Sequence, residues 1–303
     1  ACYLANEGYQ VTVLEKHDRV GGRARSFEEK GFVYDMGPSW YWMPDIFEKF
    51  FADFGKKVYD YYQLERLSPS YRIVYKDGPL DIPSNMNDMY AMFEHIEKGS
   101  AKKLKQFLKE AEFKYNIGMN DLVYKPGLSL TEFMNLRFFK GVFKLDVFNS
   151  IASHIRKSFT NPKLIQLLEF PVLFLGALPQ NTPALYSLMN YSDMVGGTWY
   201  PKGGMTSVVK GMHQLAVELG VKFELNVDVS KINVVDNKAK EVVAKTIYND
   251  FDVLVSSADY NFTEQKLLEE KYRNYTADYW ETRKMAPSSL IFYIGVNKKL
   301  PNL

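Results

Sequence analysis

Glu15, Gly21, Gly22 and Arg23 stand in one short run, Glu15-Lys16-His17-Asp18-Arg19-Val20-Gly21-Gly22-Arg23-Ala24-Arg25. An ionised acid only accepts hydrogen bonds, which suits two adjacent ribose hydroxyls. Paired glycines let backbone approach a ligand with no Cβ in the way, and the guanidinium groups that follow can fork onto a pyrophosphate. A further close-approach glycine follows in Asp35-Met36-Gly37-Pro38. The order and spacing fit a grip on a dinucleotide. Taken singly, Glu15 reads equally well as a solvated acid at a strand end, and each glycine as a plain turn. In a dinucleotide-binding unit the ribose acid follows its glycine fingerprint by about 20 residues, which places that fingerprint upstream of Ala1.

Other chemistries find less support. His17, His95, His154 and His213 are too widely spaced for a metal-ligand motif, and Cys2 is the single cysteine, so the sequence predicts no metal site and no disulfide framework. A reducing compartment fits that cysteine usage. No G-x-S-x-G elbow points to a hydrolase. With 303 residues, 46% of them hydrophobic, the chain is long enough for a sizeable core and about two domains. A net charge of +2 gives no bias toward polyanions, so nucleic acid is not expected as a partner. The longest apolar stretch, Phe170 to Leu178, holds a proline and a glycine and is far short of the roughly 20 residues a spanning helix needs. Two sequons, at Asn261 and Asn274, read as chance.

The elements that must carry the acid and the glycines can be read from pattern. Ala1 to Asn6 looks like the end of a helix capped at Gly8, and Gln10 to Leu14 is a β-branched strand that ends at Glu15. Together they form the second half of a βαβ unit. Tyr71 to Ile82 is expected to be a hairpin turning at Asp77-Gly78. Asn85 to Thr198 is mainly helical in pattern, and no repeat of fixed period occurs. From Trp199 the texture changes to Tyr200-Pro201-Lys202-Gly203-Gly204-Met205 and then to a helix. Val208, Val209, Met212, Leu215, Ala216 and Leu219 share one face of it, and Gly220 stops it. Strands are expected at Val221 to Leu225 and Lys240 to Ile247, a short buried run at Asp252 to Ser256, and a strand at Ser288 to Val296.

The run from Glu15 through Gly21-Gly22-Arg23-Ala24 to Asp35-Met36-Gly37-Pro38 resembles the FAD-binding N-terminus of the amine oxidase and phytoene desaturase superfamily. Tyr200 to Met205, Gly211-Met212, Leu219-Gly220, Asn226, Val229, Ile232 and Ser257-Ala258-Asp259-Tyr260 are similar to bacterial carotenoid desaturases in particular. The resemblance implies an α/β fold: a Rossmann-like FAD-binding domain in discontinuous pieces with an inserted mixed-sheet and helical substrate domain. Its pieces would be 1–66 and 199–262 for FAD and 67–198 and 263–303 for substrate. The chain would then lack both the upstream glycine fingerprint and the C-terminal segment that covers the flavin, as a truncated sequence does.

Residue by residue, the resemblance implies Glu15 on the adenosine ribose, Gly21, Gly22 and Arg23 along the pyrophosphate and flavin, Gly37 beside the isoalloxazine, and the Val229 backbone on adenine. Glu132 roughly matches an acid proposed for proton transfer, and reads otherwise as a surface helix acid. The implied reaction introduces double bonds into an isoprenoid hydrocarbon such as phytoene, with oxygen or a quinone as electron acceptor. Related alternatives are a carotenoid isomerase, a retinol-saturase-like protein or a hydroxycarotenoid desaturase. A non-catalytic flavin-fold lipid-binding protein is the alternative of another class. An apolar substrate calls for an apolar tunnel, and Leu128 to Tyr200 is rich in Phe, including Phe133, Phe138, Phe170 and Phe174. The chain is expected in the cytoplasm, peripherally associated with the inner face of the cytoplasmic membrane. Phe133 to Phe159 is the expected contact, because Arg137, Lys140 and Lys144 interleave with aromatics there, although the same pattern serves a helix packed on the core.

Overall fold

The computed structural model describes residues 1–120, 122–129, 148–283, 285 and 288–300. Glu132 and most of the Phe133 to Phe159 segment lie outside the described residues.

Two hydrophobic cores organise the chain. The first gathers Cys2, Tyr41, Phe51, Val58 and Tyr62 with Met205, Val208, Leu215, Ala216 and Val221. Residues about 150 positions apart in sequence thus share one interior. At its heart the strand Thr12–Glu15 pairs in parallel with Lys222–Leu225, in the register Thr12 to Lys222 and Glu15 to Leu225. The helix Cys2–Asn6 packs against the helix Thr206–Glu218 on this pair. Gly8 has φ +90 and its N–H reaches the Ala5 carbonyl at 3.0 Å, the left-handed helix stop that the glycine implies. The fold class is the α/β arrangement expected, with its two halves contributed from separated parts of the chain. In the Thr206–Glu218 helix the buried face includes Gly211, against which Tyr61 and Tyr62 pack, while Met212 is exposed. An apolar pattern alone counted Met212 inward, since a glycine carries no hydrophobic signal.

The second core is built from the hairpin and helices that follow: Ile82, Met89, Phe93, Leu104, Phe107 and Leu108, then Ile151, Ile155, Phe159, Leu164, Leu167, Leu168, Val172 and Met194. The hairpin Tyr71–Tyr75 and Gly78–Ile82 pairs Tyr75 with Gly78, so the two turn residues are Lys76-Asp77 and Gly78 supplies the positive φ of +128. The helices Met86–Ile96, Ser100–Asn120 and Pro162–Glu169 begin where the sequence offers caps or starts: Asn85 accepts from the Asp88 N–H, and Asn161 accepts from Lys163 N–H before Pro162.

Beyond the parallel pair, Lys231–Val235, Lys238–Val243 and Ile247–Tyr248 form an antiparallel sheet. Its first turn is Asp236-Asn237, both at positive φ, the two-residue hairpin geometry that matches strand twist. Two sequence expectations are corrected here. Asp252 to Ser256 forms no strand, and Val253 and Val255 are 63% and 68% exposed. Ser288 to Val296 likewise has no ladder, with Phe292 and Ile294 exposed. β-branched and aromatic content marks the capacity to pair, whereas a strand exists only where another backbone lies alongside. Tyr293 anchors the latter segment, donating to the Met36 carbonyl at 3.0 Å and packing on Phe27 and Tyr34, while Gly295 lies against Phe32 and Tyr34.

Candidate functional site

Glu15 ends its strand half-buried, where its carbonyl accepts from Val227 N–H at 2.9 Å and its Oε1 accepts from the His17 N–H at 2.8 Å. That turn-like clasp holds the side chain at the carboxyl edge of the parallel pair, the edge at which ligands bind in open α/β sheets. Val229 follows two residues after Val227, in the irregular segment beyond the strand. Among the described residues its N–H and carbonyl make no backbone hydrogen bond, which leaves them open to a planar base.

Gly21 and Gly22 occupy positive φ values of +118 and +51 and open a turn of 3-10 helix, Gly22–Ala24. The two glycines are there for different reasons. A Cβ on Gly21 would press on Val209 Cγ1 at 3.1 Å, whereas a Cβ on Gly22 would meet nothing within 4 Å. Gly22 is therefore conformational, and the space beside it is open. Arg25 donates back to the Gly22 carbonyl at 2.9 Å and fixes the turn, while Arg23 is exposed and its guanidinium pairs with no described residue. A free forked donor beside an open glycine turn fits a pyrophosphate. Gly37 has no unusual φ; a Cβ there would overlap the Arg23 carbonyl oxygen. The structure thus brings Gly37 and Arg23 together backbone to backbone, with Gly21 at their flank.

Asp35 is a residue whose role the sequence did not reveal. Its Oδ2 accepts from the Met205 N–H at 2.9 Å and from the Tyr200 hydroxyl at 3.1 Å, and its Oδ1 accepts from the Thr206 N–H at 3.3 Å. A carboxylate from a distant hairpin therefore caps the Thr206–Glu218 helix, whose own preceding residue, Met205, offers no side-chain cap. Gly204 allows this approach: a Cβ on it would come within 3.1 Å of Asp35 Oδ2. The available signal was the absence of Ser, Thr, Asp or Asn before the helix, in Gly203-Gly204-Met205. That absence calls for a cap from elsewhere without saying which residue supplies it.

The aromatic residues expected of a tunnel are divided by the structure. Phe148 is 86% exposed, and Phe133, Phe138, Phe139 and Phe143 lie outside the described residues. Phe170 and Phe174 join Trp40, Trp42 and Tyr71 in one cluster, with ring centroids 4.7 to 5.7 Å apart. Trp40 lies three residues beyond Gly37, so the cluster is continuous in chain with the glycine turn. Among the described residues no group of acids, histidines and cysteines could hold a metal.

Fold and glycine turns together define a dinucleotide-binding α/β protein. The description "flavin containing amine oxidoreductase" matches residues 1–286, and the chain belongs to that family. It is 40% identical over 301 residues to a carotenoid 3,4-desaturase of Haloarcula japonica, covering 98% of this chain and 60% of that protein. It is 31% identical over 307 residues to a 4,4'-diapophytoene desaturase (4,4'-diaponeurosporene-forming) of Staphylococcus haemolyticus, covering 99% of this chain and 61% of that one. The chain thus spans about 60% of the length of these curated relatives. A solved structure from Pyrococcus furiosus shares the fold, with a TM-score of 0.58 and 19% identity over 92% of this chain and 60% of that one.

Proposed function

We propose that this protein is an FAD-dependent desaturase that introduces double bonds into a carotenoid precursor such as phytoene. The observation that carries the reading is the 40% identity to a carotenoid desaturase across 98% of the chain. The open glycine turn beside Gly37, and an Arg23 guanidinium that pairs with no group among the described residues, support the reading. Glu15 would accept from the ribose hydroxyls, Arg23 would reach the pyrophosphate, Gly21 and Gly22 would line its path, and Gly37 would face the isoalloxazine. Val229 would meet the adenine through its backbone. Residues 1–66 and 199–262 serve as the FAD-binding pieces, and 67–198 and 263–303 as the substrate-binding pieces.

Hydride acceptance from an sp³ carbon beside the conjugated system is the chemistry a bound flavin supplies. A proton leaves the neighbouring carbon, and Glu132, outside the described residues, is the candidate to take it. The protein's share is to align carbon with cofactor and exclude water, since a hydrocarbon offers no charged handle. Oxygen or a quinone serves as terminal acceptor. Coexpression with a phytoene-producing pathway, followed by chromatography, tests the proposal. New products absorbing at longer wavelength support it; an altered cis/trans ratio alone would reassign the protein as an isomerase, and unchanged carotenoids would refute turnover.

A substrate of this kind resides in the bilayer, so collection at the membrane surface belongs to the same proposal. No helix among the described residues is long and apolar enough to cross a membrane. The contact in this reading is peripheral, on the cytoplasmic face, with residues 133–159 as its candidate segment. Flotation with anionic vesicles should fall when Lys140 and Lys144 become Glu. Flotation untouched by both reversals would exclude that segment as the contact.

A further inference from the structure

Asp193 is a charged side chain in an apolar interior. It is 2% exposed, sits in the π-helical turn Ser192–Gly196, and pairs with no ammonium or guanidinium group among the described residues. Its Oδ2 accepts from the Tyr71 hydroxyl at 2.7 Å, and its Oδ1 from the Thr198 hydroxyl at 3.4 Å. Thr198 in turn accepts from the Trp42 indole N–H at 3.0 Å. Burial pushes the Asp193 carboxyl up to about 6, against the hydrogen bonds that favour its ionised form. A buried acid is expensive, and π-turns are found disproportionately at functional sites. A purely structural contact here would be met more cheaply by an apolar side chain.

What the acid holds is specific. Tyr71 and Trp42 are two of the five rings in the aromatic cluster, and Trp40 touches both, at 4.7 and 5.5 Å between centroids. The cluster's outer members are open: Phe174 is 48% exposed and Leu173 beside it 67%. At its other end the chain runs from Trp40 back through the exposed Ser39 and Pro38 to Gly37. One polar anchor therefore fixes the orientation of a wall of rings that begins at the cofactor-side turn and ends at solvent. We propose that Asp193 is a positioning residue for this wall, holding Tyr71 directly and Trp42 through Thr198, and that the wall's ligand is a long conjugated isoprenoid chain. This rests on the desaturase reading. Aromatic faces suit a polyene because contact with an extended π-system needs no hydrogen bond and tolerates sliding along the chain.

The test measures binding of a near-ultraviolet-absorbing linear polyene hydrocarbon, delivered in detergent micelles, to the flavin-loaded protein. Asp193→Ala should weaken binding at least tenfold with flavin content unchanged, and Asp193→Asn, which keeps an acceptor oxygen, should restore it to within about threefold. Phe174→Ala removes an exposed ring at little risk to folding and should weaken binding about fivefold. In turnover both losses should appear mainly in KM. Polyene affinity unchanged in both Phe174→Ala and Asp193→Ala would overturn this assignment alone. Failure of the parent protein to bind any polyene would overturn the desaturase reading with it.

Discussion

Gly37→Ala isolates one contact on which the candidate flavin site depends. Gly37 adopts no left-handed conformation, so the substitution adds no backbone strain of its own. The new Cβ would instead overlap the Arg23 carbonyl oxygen and lie 3.3 Å from its carbon. Neither partner is a side chain that can swing aside. Non-bonded carbon contacts settle near 3.5 to 4.0 Å, and the overlap at the oxygen is deeper than the shortfall at the carbon, so the two backbone segments must part by at least about half an ångström. They are held on both sides. Met36 N–H donates to the Arg25 carbonyl at 3.0 Å, and Asp35 is fixed by Met205 N–H at 2.9 Å. Overpacking strain of about 1–3 kcal/mol plus about 1 kcal/mol for a broken backbone hydrogen bond gives about 2–4 kcal/mol. If half of that falls on the flavin-bound form, FAD affinity drops roughly five- to thirtyfold. Titrating apoprotein with FAD, read by quenching of flavin fluorescence, measures this directly. Gly118→Ala is the control, because its Cβ would meet only Leu188 Cδ2 at an ordinary 3.4 Å inside a helix. A Gly37→Ala protein that melts with the parent and binds FAD within twofold of it would refute the close-approach argument.

Glu15→Ala should weaken FAD binding by about 1.5–3 kcal/mol, since charge-assisted bonds to the ribose would be lost; unchanged flavin retention on a sizing column would remove Glu15 from the site. Asp35→Ala should lower the melting temperature through loss of a helix cap worth about 0.5–2 kcal/mol, and Asp35→Asn should recover most of it in a thermal melt. A carboxyl whose folded value is raised, as burial raises Asp193 to about 6, contributes stability that is present below about pH 4 and lost as pH rises through 6. The loss amounts to about 3 kcal/mol for a raise of roughly two pH units, and Asp193→Asn should flatten denaturant-derived stability across that window. An equally steep profile in Asp193→Asn would place the titration elsewhere.

Local pattern was enough to read the glycines, the strand-end acid, the hairpin and the helix after Gly204, because each depends on residues adjacent in the chain. Gly21 and Gly22 were legible because positive φ is nearly the preserve of glycine, and Thr12–Glu15 because its β-branched run and terminal acid are contiguous. The resemblance to flavin enzymes rested on such local runs in fixed order. Asp252 to Ser256 and Ser288 to Val296 failed for the converse reason: they have strand composition, and no described backbone pairs with either.

Only the tertiary structure decided which distant groups meet. Asp35 reaches Met205 and Thr206 across 170 residues of chain, and Trp42 reaches Thr198 across 156. Neither pairing leaves a trace in spacing, because hydrogen-bond partners are set by how elements pack and not by their order. The reason Gly37 must be glycine is of this kind too, since the Arg23 carbonyl that forbids a Cβ belongs to another turn. The buried position of Asp193 is likewise a product of packing: in sequence it is one acid among 36 Asp and Glu residues, and only enclosure by Tyr71, Thr198 and the rings beyond them sets it apart.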